Sequence, residues 1–329
     1  MTSRGERQTI ASTVGMELRQ VTFSLDQHHA DASALNPPLP IIEGVGPSCV
    51  ALPAGPWKTV MDFFMERYPR VDFATWTARM AKGQVVDETG RRLNSASAYR
   101  MGACIFYYRE PSCEKPIPFI ERVIYQDEHI LVADKPHFLP VIPAGRFLHE
   151  TLLVRLRKQG KLEELVPLHR LDRETAGVVL FSLNRKTRGL YSSLFQDRKI
   201  RKLYEALAPA PSNLLSFPLT RRSRIVRGEP FFRMKEAAGE PNSETNIEVL
   251  EQSDSVTLYQ LIPITGKKHQ LRVHLSALGI AIINDALYPC ANFEMEDDFS
   301  EPLKLLAKSI SFKDPLSGEE RYFKSDGKL

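Results

Sequence analysis

Short apolar runs separated by turn-forming residues dominate the chain beyond residue 118, and they limit the folds open to it. Runs of four to seven residues have the length of strands, whereas helices are usually longer. We predict six strands, at residues 122–125, 130–133, 178–183, 203–208, 246–250 and 256–262. Helical periodicity marks three further segments, at residues 151–159, 186–195 and 267–278. Because strands and helices do not alternate regularly, the sequence predicts a mixed, largely antiparallel α+β domain with a central cleft, and it excludes a doubly wound sheet.

A smaller module precedes this domain. From Trp57 onward the apolar residues have helical spacing, and a turn at residues 87–90 then separates two short stretches, which indicates a hairpin. We expect a weakly patterned N-terminal segment at residues 1–43, a small helix–hairpin module at 44–108, a proline-containing linker at 109–118 and the large domain at 119–329.

Composition excludes several classes of protein. No stretch reaches the roughly 18 apolar residues that span a bilayer, and the first residues contain no apolar run of the kind found in secretory signals. Cys49, Cys104, Cys113 and Cys290 have no Cys-x-x-Cys spacing, so we expect free thiols and neither a disulfide framework nor structural zinc. These features predict a cytoplasmic protein without a membrane segment, and we expect a monomer.

Positive charge is concentrated in one part of the chain. The net charge is only +4, yet residues 185–235 contain 13 Lys or Arg and three acidic residues, a local balance of +10 against −6 elsewhere. Such a concentration is typical of a polyanion site, although a solvated basic face is the alternative. Arg221, Arg222, Arg224 and Arg227 lie in a segment between two prolines that is too irregular for a core strand. We predict a loop there that contacts phosphates.

The residue of greatest chemical interest is Asp172, which lies between Arg170 and Arg173. Nearby positive charge lowers the pKa of a carboxyl group, so we expect Asp172 to be ionised at neutral pH. An ionised carboxylate suits a nucleophile or a base and suits a general acid poorly. An apolar run follows Gly177 and places this polar loop ahead of a buried strand. A surface loop held by ion pairs remains the alternative.

Two other segments carry candidate functional residues. Tyr204 alternates with apolar residues on a predicted strand, so its ring lies either in the core or in a cleft, where it can stack on a nucleobase. In the segment 267–278, Leu271 and Leu275 form a stripe that faces the core. His269 and Arg272 lie on a different face of this helix, from which they can reach a cleft.

The sequence lacks the residue spacings that are typical of metal sites and of serine hydrolases. His149, His169, His269 and His274 lie in no H-E-x-x-H pattern, and the spacing of a phosphate-binding P-loop is absent. The chain also has no G-x-S-x-G elbow of a serine hydrolase. We therefore expect no bound metal.

Together these segments resemble the RluA-type RNA pseudouridine synthases. Residues 169–177 match the family loop H-R-L-D-x-x-T-[SA]-G throughout, and residues 202–206 match its K-x-Y-x-A strand. Residues 265–274 match T-G-R-x-H-Q-[IL]-R-V-H, except that Lys267 replaces an arginine. Residues 279–288 resemble G-x-P-I-x-G-D-x-x-Y, with Ala281 and Asn284 departing. The resemblance covers residues 119–324, and a weaker likeness from about residue 44 suggests the small RNA-binding module that some bacterial members carry.

The resemblance implies an isomerase that flips a uridine out of folded RNA, cuts its glycosidic bond, turns the uracil and rejoins it through carbon 5, with no cofactor. It implies that Asp172 is the catalytic carboxylate, which either attacks the nucleotide or removes a ribose proton. Arg272 would pair with Asp172 and hold it ionised. Tyr204 would stack on the base and assist the loss of the proton at carbon 5, and Arg170 would fill the gap left by the flipped base. The other candidate RNA contacts are His169, Lys267, His269, Gln270, Arg221, Arg222, Arg224 and Arg227.

The sequence leaves the substrate RNA open. Ribosomal RNA is favoured because of the extra N-terminal module, and transfer RNA is the alternative. Two other classes of function remain as rivals: an RNA-binding protein without catalysis, and a nucleoside or sugar hydrolase, which normally needs paired carboxylates. The lysine at position 267 keeps the positive charge but gives up bidentate contact with a phosphate.

Overall fold

The computed structural model describes residues 37–110, 114–212, 214–253, 255–291 and 298–329. Most of the predicted N-terminal segment, residues 1–36, therefore lies outside the described residues, as do residues 111–113 of the predicted linker. The described chain forms two compact units. Cys49–Phe106 make up the smaller one, and Pro37–Ser48 together with Tyr107–Leu329 make up the larger one.

The smaller unit has two helices and a three-stranded sheet. Its elements are β1 (Ser48–Ala51), α1 (Val60–Arg67), α2 (Phe73–Ala81), β2 (Val85–Asp87) and β3 (Cys104–Tyr107), with strand order β1-β3-β2. The side chain of Thr59 accepts a hydrogen bond from the Asp62 N–H and starts α1 with a capping box. Phe64 and Trp76 are buried between the helices, with ring centroids 4.3 Å apart. The helices precede the predicted turn, across which Val86 and Arg92 form an antiparallel bridge, but residues 91–93 form no strand and β2 pairs with β3.

The larger unit is built on one sheet of eleven strands. Its strands are β4 (Arg122–Gln126), β5 (Ile130–Lys135), β6 (Val166–Pro167), β7 (Ala176–Ser182), β8 (Arg201–Pro209), β9 (Leu219–Arg227), β10 (Met234–Ala237), β11 (Ser243–Gln252), β12 (Val256–Pro263), β13 (Leu305–Lys313) and β14 (Glu320–Lys324). The main path runs β10-β9-β11-β12-β8-β13-β7-β5-β4, with β14 beside β13 and β6 beside β7.

Ladder direction confirms the predicted fold class. The pair β7 and β13 is parallel, over only two registered positions, and the other pairs of this sheet are antiparallel. Three helices, α3 (Leu152–Gly160), α4 (Arg188–Gln196) and α5 (Gln270–Ala277), cover parts of the sheet. The large domain is therefore a mixed, largely antiparallel α+β fold.

The centre of the sheet is buried on both faces. One face of β5 and β7 packs against the leucines of α3, and the other face packs against Tyr191 and Leu194 of α4. Along β7 every residue is buried. Burial on both faces explains why these strands form nearly continuous apolar runs in the sequence. On the other half of the sheet, Leu271 and Leu275 of α5 pack on β8 and β12, as their spacing predicts.

One structural prediction is wrong: the segment that carries four arginines is a strand. Strand β9 (Leu219–Arg227) pairs with β10 on one side and β11 on the other, and Ile225 is its only buried residue. Its apolar residues are only Leu219, Ile225 and Val226, and the polar stretch between the first two hides the alternation of an ordinary strand. The ladder hydrogen bonds to both neighbours hold the strand in place.

The boundary of the larger unit also differs from the predicted one. Val45 packs with Leu148 and Val154, so the segment just before the small module belongs to the large unit. The carboxylate of Glu114 accepts hydrogen bonds from three consecutive backbone N–H groups, of residues 148, 149 and 150. The described part of the predicted linker is therefore anchored to the large unit.

Candidate active site

The loop between β6 and β7 brings Asp172 to the other two candidate catalytic residues. Arg272 Nη1 lies 3.4 Å from Asp172 Oδ2, and His269 Nε2 lies 3.9 Å from Asp172 Oδ1. Burial, and then the charge of Asp172, raise the pKa of the Tyr204 hydroxyl. The Asp172 side chain is 27% exposed, whereas that of Arg272 is 1% exposed. Asp172 thus lies where a buried cluster opens to solvent.

Backbone geometry fixes the end of this loop. Gly177 has φ +113°, and a Cβ atom at this position would lie 2.2 Å from the carbonyl oxygen of Ala307 on the parallel strand β13. Only glycine fits so close an approach. The position of Asp172, five residues earlier, depends on this contact between β7 and β13.

A buried lysine holds the loop from the other side. Lys135 Nζ donates to the carbonyl oxygens of Leu139 at 2.7 Å, Pro136 at 3.0 Å and Arg173 at 3.1 Å. Burial lowers its pKa to about 7, against the opposing effects of Glu174 and Asp172. With all three donors used, Lys135 anchors the residue that follows Asp172.

The principal partner of Arg272 is Asp285, which sequence reasoning did not select. Arg272 Nε donates to Asp285 Oδ2 at 2.8 Å and Nη2 donates to Oδ1 at 2.6 Å, and the Asp285 side chain is fully buried. The third nitrogen, Nη1, lies 3.4 Å from Asp172 Oδ2 and 3.8 Å from Glu174 Oε2. Burial alone would lower the pKa of Arg272, but the hydrogen bonds and charge of Asp285 outweigh burial and raise it. Arg272 is therefore a permanent cation, fixed in orientation by Asp285.

Tyr204 lies on β8 beside these groups. It stands opposite Leu261 on β12 and Ala307 on β13, and its ring packs against two of the apolar clusters of the large unit. Because its pKa is raised, the hydroxyl stays protonated at neutral pH. The ring is a rigid, largely enclosed aromatic face beside Asp172.

Comparison with known proteins agrees with this geometry. Residues 129–277 match the family of RNA pseudouridylate synthases. The dual-specificity RNA pseudouridine synthase RluA of Haemophilus ducreyi is 33% identical over 220 residues, which cover 64% of this chain and 94% of that protein. The chain belongs to the RluA-type family of RNA pseudouridine synthases.

Two further relatives support the assignment to this family of isomerases. Ribosomal large subunit pseudouridine synthase C of Vibrio cholerae is 34% identical over 206 residues, 59% of this chain and 62% of that protein. The solved structure of human RNA pseudouridylate synthase domain containing 1 superposes with a TM-score of 0.53 at 25% identity, covering 65% of this chain and 86% of that one. The α+β fold and the synthase family are therefore both shown.

Two residues predicted as RNA contacts have structural roles in this synthase. His169 Nε2 accepts the N–H of Leu180 at 3.0 Å, and the ring stacks on Phe195. Burial lowers the His169 pKa to about 3, so the ring is neutral. The amide of Gln270 is buried, and its hydrogen bonds go to Thr265, to the Lys267 N–H and to β11. Both side chains are occupied within the protein, and we withdraw them as RNA contacts.

Two of the remaining candidates are accessible. Arg170 and Lys267 are exposed at the edge of the site. His269 is enclosed, and its side chain is 7% exposed. Its ring contacts Tyr288 as well as Asp172.

The arginines of β9 do not form one surface. Side chains alternate across a strand, so Arg222 and Arg224 lie on one face and Arg221 and Arg227 on the other. Arg222 Nε pairs with Glu244 at 3.1 Å, and Arg221 forms hydrogen bonds with Glu236. Acidic neighbours therefore offset the charges of Arg221 and Arg222.

The described parts of the chain contain neither a candidate metal cluster nor a membrane-spanning helix. Among those residues, no group of three or more His, Cys, Asp or Glu side chains is placed to hold a metal ion. Nor does any helix in the described ranges have the length and apolar character needed to cross a membrane.

Proposed function

We propose that the protein converts specific uridines of structured RNA to pseudouridine, with Asp172 as the catalytic carboxylate. The observation that carries the proposal is the contact between Asp172, which is open to solvent, and Arg272, which is buried behind it. The raised pKa of the buried guanidinium keeps Arg272 charged, so it presents a fixed positive charge to Asp172. A carboxylate at the solvent-exposed edge of this buried cluster suits attack on the nucleotide or removal of a ribose proton, and both routes remain open.

Tyr204 supports this chemistry as a stacking surface. Its ring lies beside Asp172, where a flipped uracil would sit against an aromatic face. The raised pKa keeps the phenol neutral, and a neutral phenol is a weak base. We therefore assign Tyr204 to holding the detached uracil while it turns. The reaction rearranges one nucleotide, so atoms and electrons balance without a cofactor.

Glu174 is the second carboxylate near the site. Its Oε1 accepts a hydrogen bond from Arg173 at 3.0 Å, and Oε2 lies 3.8 Å from Arg272. Burial raises the Glu174 pKa, but the charges of Arg272 and Arg173 outweigh burial and lower it. A carboxyl group with a lowered pKa is a poor general acid, which argues against the paired-carboxylate hydrolase.

RNA binding is assigned to exposed cations. Arg170 would fill the space of the flipped base, and Lys267 with the arginines of β9 would contact phosphates, which give affinity without sequence choice. The small unit would supply further RNA contacts. We favour ribosomal RNA as substrate because of this extra unit and because one relative is named for the large ribosomal subunit. Mapping pseudouridines in a strain that lacks the protein identifies the uridine.

The test of the proposal is Asp172→Asn. The amide keeps the shape of the side chain and loses the negative charge, so pseudouridine formation should be abolished while folding and RNA affinity stay near wild type. The assay is a single-turnover reaction on uridine-containing RNA, read by carbodiimide-reactive, mass-silent uridine. Asp197→Asn is the matched control, because Asp197 is an exposed aspartate paired with Lys199.

Three outcomes would contradict the proposal. Activity of Asp172→Asn within about tenfold of wild type, ~1.4 kcal/mol in the barrier, would remove Asp172 from the chemistry. Release of free uracil by the wild type would indicate a hydrolase. RNA binding without either product would indicate an RNA-binding protein without catalysis.

A further inference from the structure

The backbone of His269 has a conformation that most residues avoid. Its φ is +55° and its ψ is +18°, in the left-handed region, at the residue that precedes α5. Non-glycine residues adopt this region rarely, and strain of this kind concentrates at functional sites. Here it directs the imidazole between two polar groups. Nδ1 lies 2.9 Å from Tyr288 Oη, and Nε2 lies 3.9 Å from Asp172 Oδ1.

The hydrogen bonds of Tyr288 determine which ring nitrogen carries the proton. Tyr288 Oη accepts the N–H of Met234 at 2.8 Å, and its other hydrogen bond among the described residues is to His269 Nδ1. Tyr288 is 5% exposed, and a buried phenol needs an acceptor for its single hydrogen. His269 Nδ1 is that acceptor, so in the neutral ring the hydrogen resides on Nε2, the nitrogen that faces Asp172.

The surroundings keep both rings in place. Arg272 and Arg233 lie against the Tyr288 ring, with guanidinium carbons 5.5 Å and 5.0 Å from its centroid. The Tyr288 N–H donates to Asp285, the same carboxylate that orients Arg272. Burial is the main influence on the His269 pKa and lowers it, so the imidazole is neutral at neutral pH. His269 therefore offers Asp172 a neutral N–H donor.

We propose that His269, held by Tyr288 with its hydrogen on Nε2, is a positioning residue for the catalytic carboxylate; this rests on the proposed role of Asp172. Arg272 faces Oδ2 and His269 faces Oδ1, so donors on two sides fix the rotation of the carboxylate. At 3.9 Å the His269 contact is longer than a hydrogen bond. Contacts of this kind shorten when substrate closes the site. This role replaces the direct RNA contact predicted for His269.

The first experiment compares His269→Gln with His269→Asn. The Gln amide nitrogen reaches about as far as Nε2 and keeps a donor for Asp172. The Asn side chain is too short to reach it, although Asn tolerates the left-handed backbone better. We expect the single-turnover rate at saturating RNA to fall about tenfold or more for His269→Asn, as for a lost hydrogen bond to a charged group, and only a few-fold for His269→Gln. Equal losses in both, or a larger loss for His269→Gln, would overturn the proposal.

The second experiment observes the proton directly. In ¹⁵N-labelled wild-type protein, the His269 resonances, assigned by their loss in His269→Asn, should show a protonated Nε2 and an unprotonated Nδ1. Tyr288→Phe should shift the proton toward Nδ1 and lower the single-turnover rate several-fold. Tyr259→Phe is the matched control, because it removes a buried hydroxyl that donates to the Pro209 carbonyl and makes no contact with His269 or Asp172 in the described part of the chain. A wild-type protein protonated at Nδ1 would overturn the proposal even if a variant folded poorly.

The two proposals fail separately. Activity of Asp172→Asn contradicts the proposed function, whatever the proton position at His269. Loss of activity in Asp172→Asn together with an unaltered rate in His269→Asn leaves the proposed function intact and contradicts the positioning role.

Discussion

Arg272 and the arginines of strand β9 carry the same charge in opposite surroundings. The side chain of Arg272 is 1% exposed and forms two hydrogen bonds with a fully buried aspartate. The side chain of Arg222 is 64% exposed, and its partner Glu244 is 29% exposed. Removing one partner of a buried ion pair costs about 3–5 kcal/mol because the other charge is left without compensation. An exposed pair contributes only about 0–1 kcal/mol.

This difference in burial distinguishes residues that fix the geometry of the active site from residues that can exchange one ionic partner for another. Arg272 cannot leave Asp285 without a large loss in stability, so it gives Asp172 a fixed charge. Arg222 can give up Glu244 for an RNA phosphate at little cost. The buried cluster therefore suits chemistry, and the exposed strand suits reversible binding to a polyanion.

Replacing the acidic partner in each region should give the largest contrast. We expect Asp285→Asn to lower the free energy of unfolding by about 3–5 kcal/mol, because Arg272 loses its charged partner. Glu244→Gln, the matched variant on the neighbouring strand β11, should cost at most about 1 kcal/mol. Urea unfolding measures both. Similar losses for the two variants would show that Arg272 is no more dependent on its partner than Arg222.

The inner face of β9, which carries Arg221, Ser223 and Ile225, packs against a buried histidine. We expect polar groups on this face to affect stability as strongly as the buried cluster does, and the pH dependence of stability tests this. His274 is fully buried among the hydroxyl groups of Ser223, Ser243 and Thr245. Burial lowers its pKa from 6.5 to about 4, against the opposing charge of Glu236. Below pH 6.5 the unfolded chain therefore binds a proton that the folded protein does not.

Stability should accordingly be highest above that pH and fall as pH decreases toward about 4. The expected slope from this one group approaches about 1.4 kcal/mol per pH unit within the window. Urea unfolding at pH 7, 6 and 5 measures it, and His274→Gln should reduce the slope relative to wild type. An unchanged slope in the variant would contradict a buried neutral histidine.

The two faces of β9 should differ in RNA binding, which is the smallest expected effect. Arg222→Ala with Arg224→Ala removes charges from the outer face, and Arg221→Ala with Arg227→Ala removes them from the other face. The outer pair should flatten the salt dependence of RNA affinity by about 0.7–0.9 in log–log slope for each lost phosphate contact. The inner pair should change it less, because the side chain of Arg221 is 32% exposed against 64% for Arg222, so Arg221 exchanges its carboxylate partner for a phosphate less readily.

Binding at several salt concentrations gives the slopes, and single-turnover rates at saturating RNA give the chemistry. The rates should fall much less than the affinities in both double variants. An unchanged slope together with a collapsed rate would mean that β9 organises the active site and does not bind phosphate.

Much of the fold follows from local sequence. The six predicted strands are present because each has an apolar face that must be buried. The doubly buried β5 and β7 are the clearest of them, since their apolar residues are nearly continuous. The meeting of Asp172, Arg272 and Tyr204 was predicted from motifs in three separate segments, and the structure places them together.

Other features depend on partners that are distant in sequence. Strand β9 is paired on both sides, with β10 and β11, and its three apolar residues are too few and too interrupted by arginine to predict a strand. Asp285 matches a family motif position, but only folding shows that its carboxylate holds Arg272. A buried acidic residue within the apolar segment 280–288 was the available signal. His169 and Gln270 are polar motif residues whose hydrogen bonds go to the protein itself, which sequence alone does not distinguish from substrate contacts.

Asn284 departs from the family pattern but keeps a backbone conformation that glycine adopts easily. It precedes Asp285 and has φ +61° where the family has glycine. Asparagine tolerates this left-handed conformation better than most residues. The turn that presents Asp285 is therefore kept without glycine.

The contact between Gly177 and Ala307 has a consequence for how the protein is made. Gly177 of β7 pairs with Ala307 of β13, 130 positions later in the sequence, and the end of the Asp172 loop is defined by that pairing. On a ribosome that adds about 5–20 residues per second, strands β4 to β7 emerge several seconds before β13. During that interval the end of the Asp172 loop has no partner strand. The edge of β7 that later pairs with β13 is an unpaired strand edge at Ala176 and Gly177. The nascent chain should therefore carry every motif residue and yet have no active site until β13 has been synthesised.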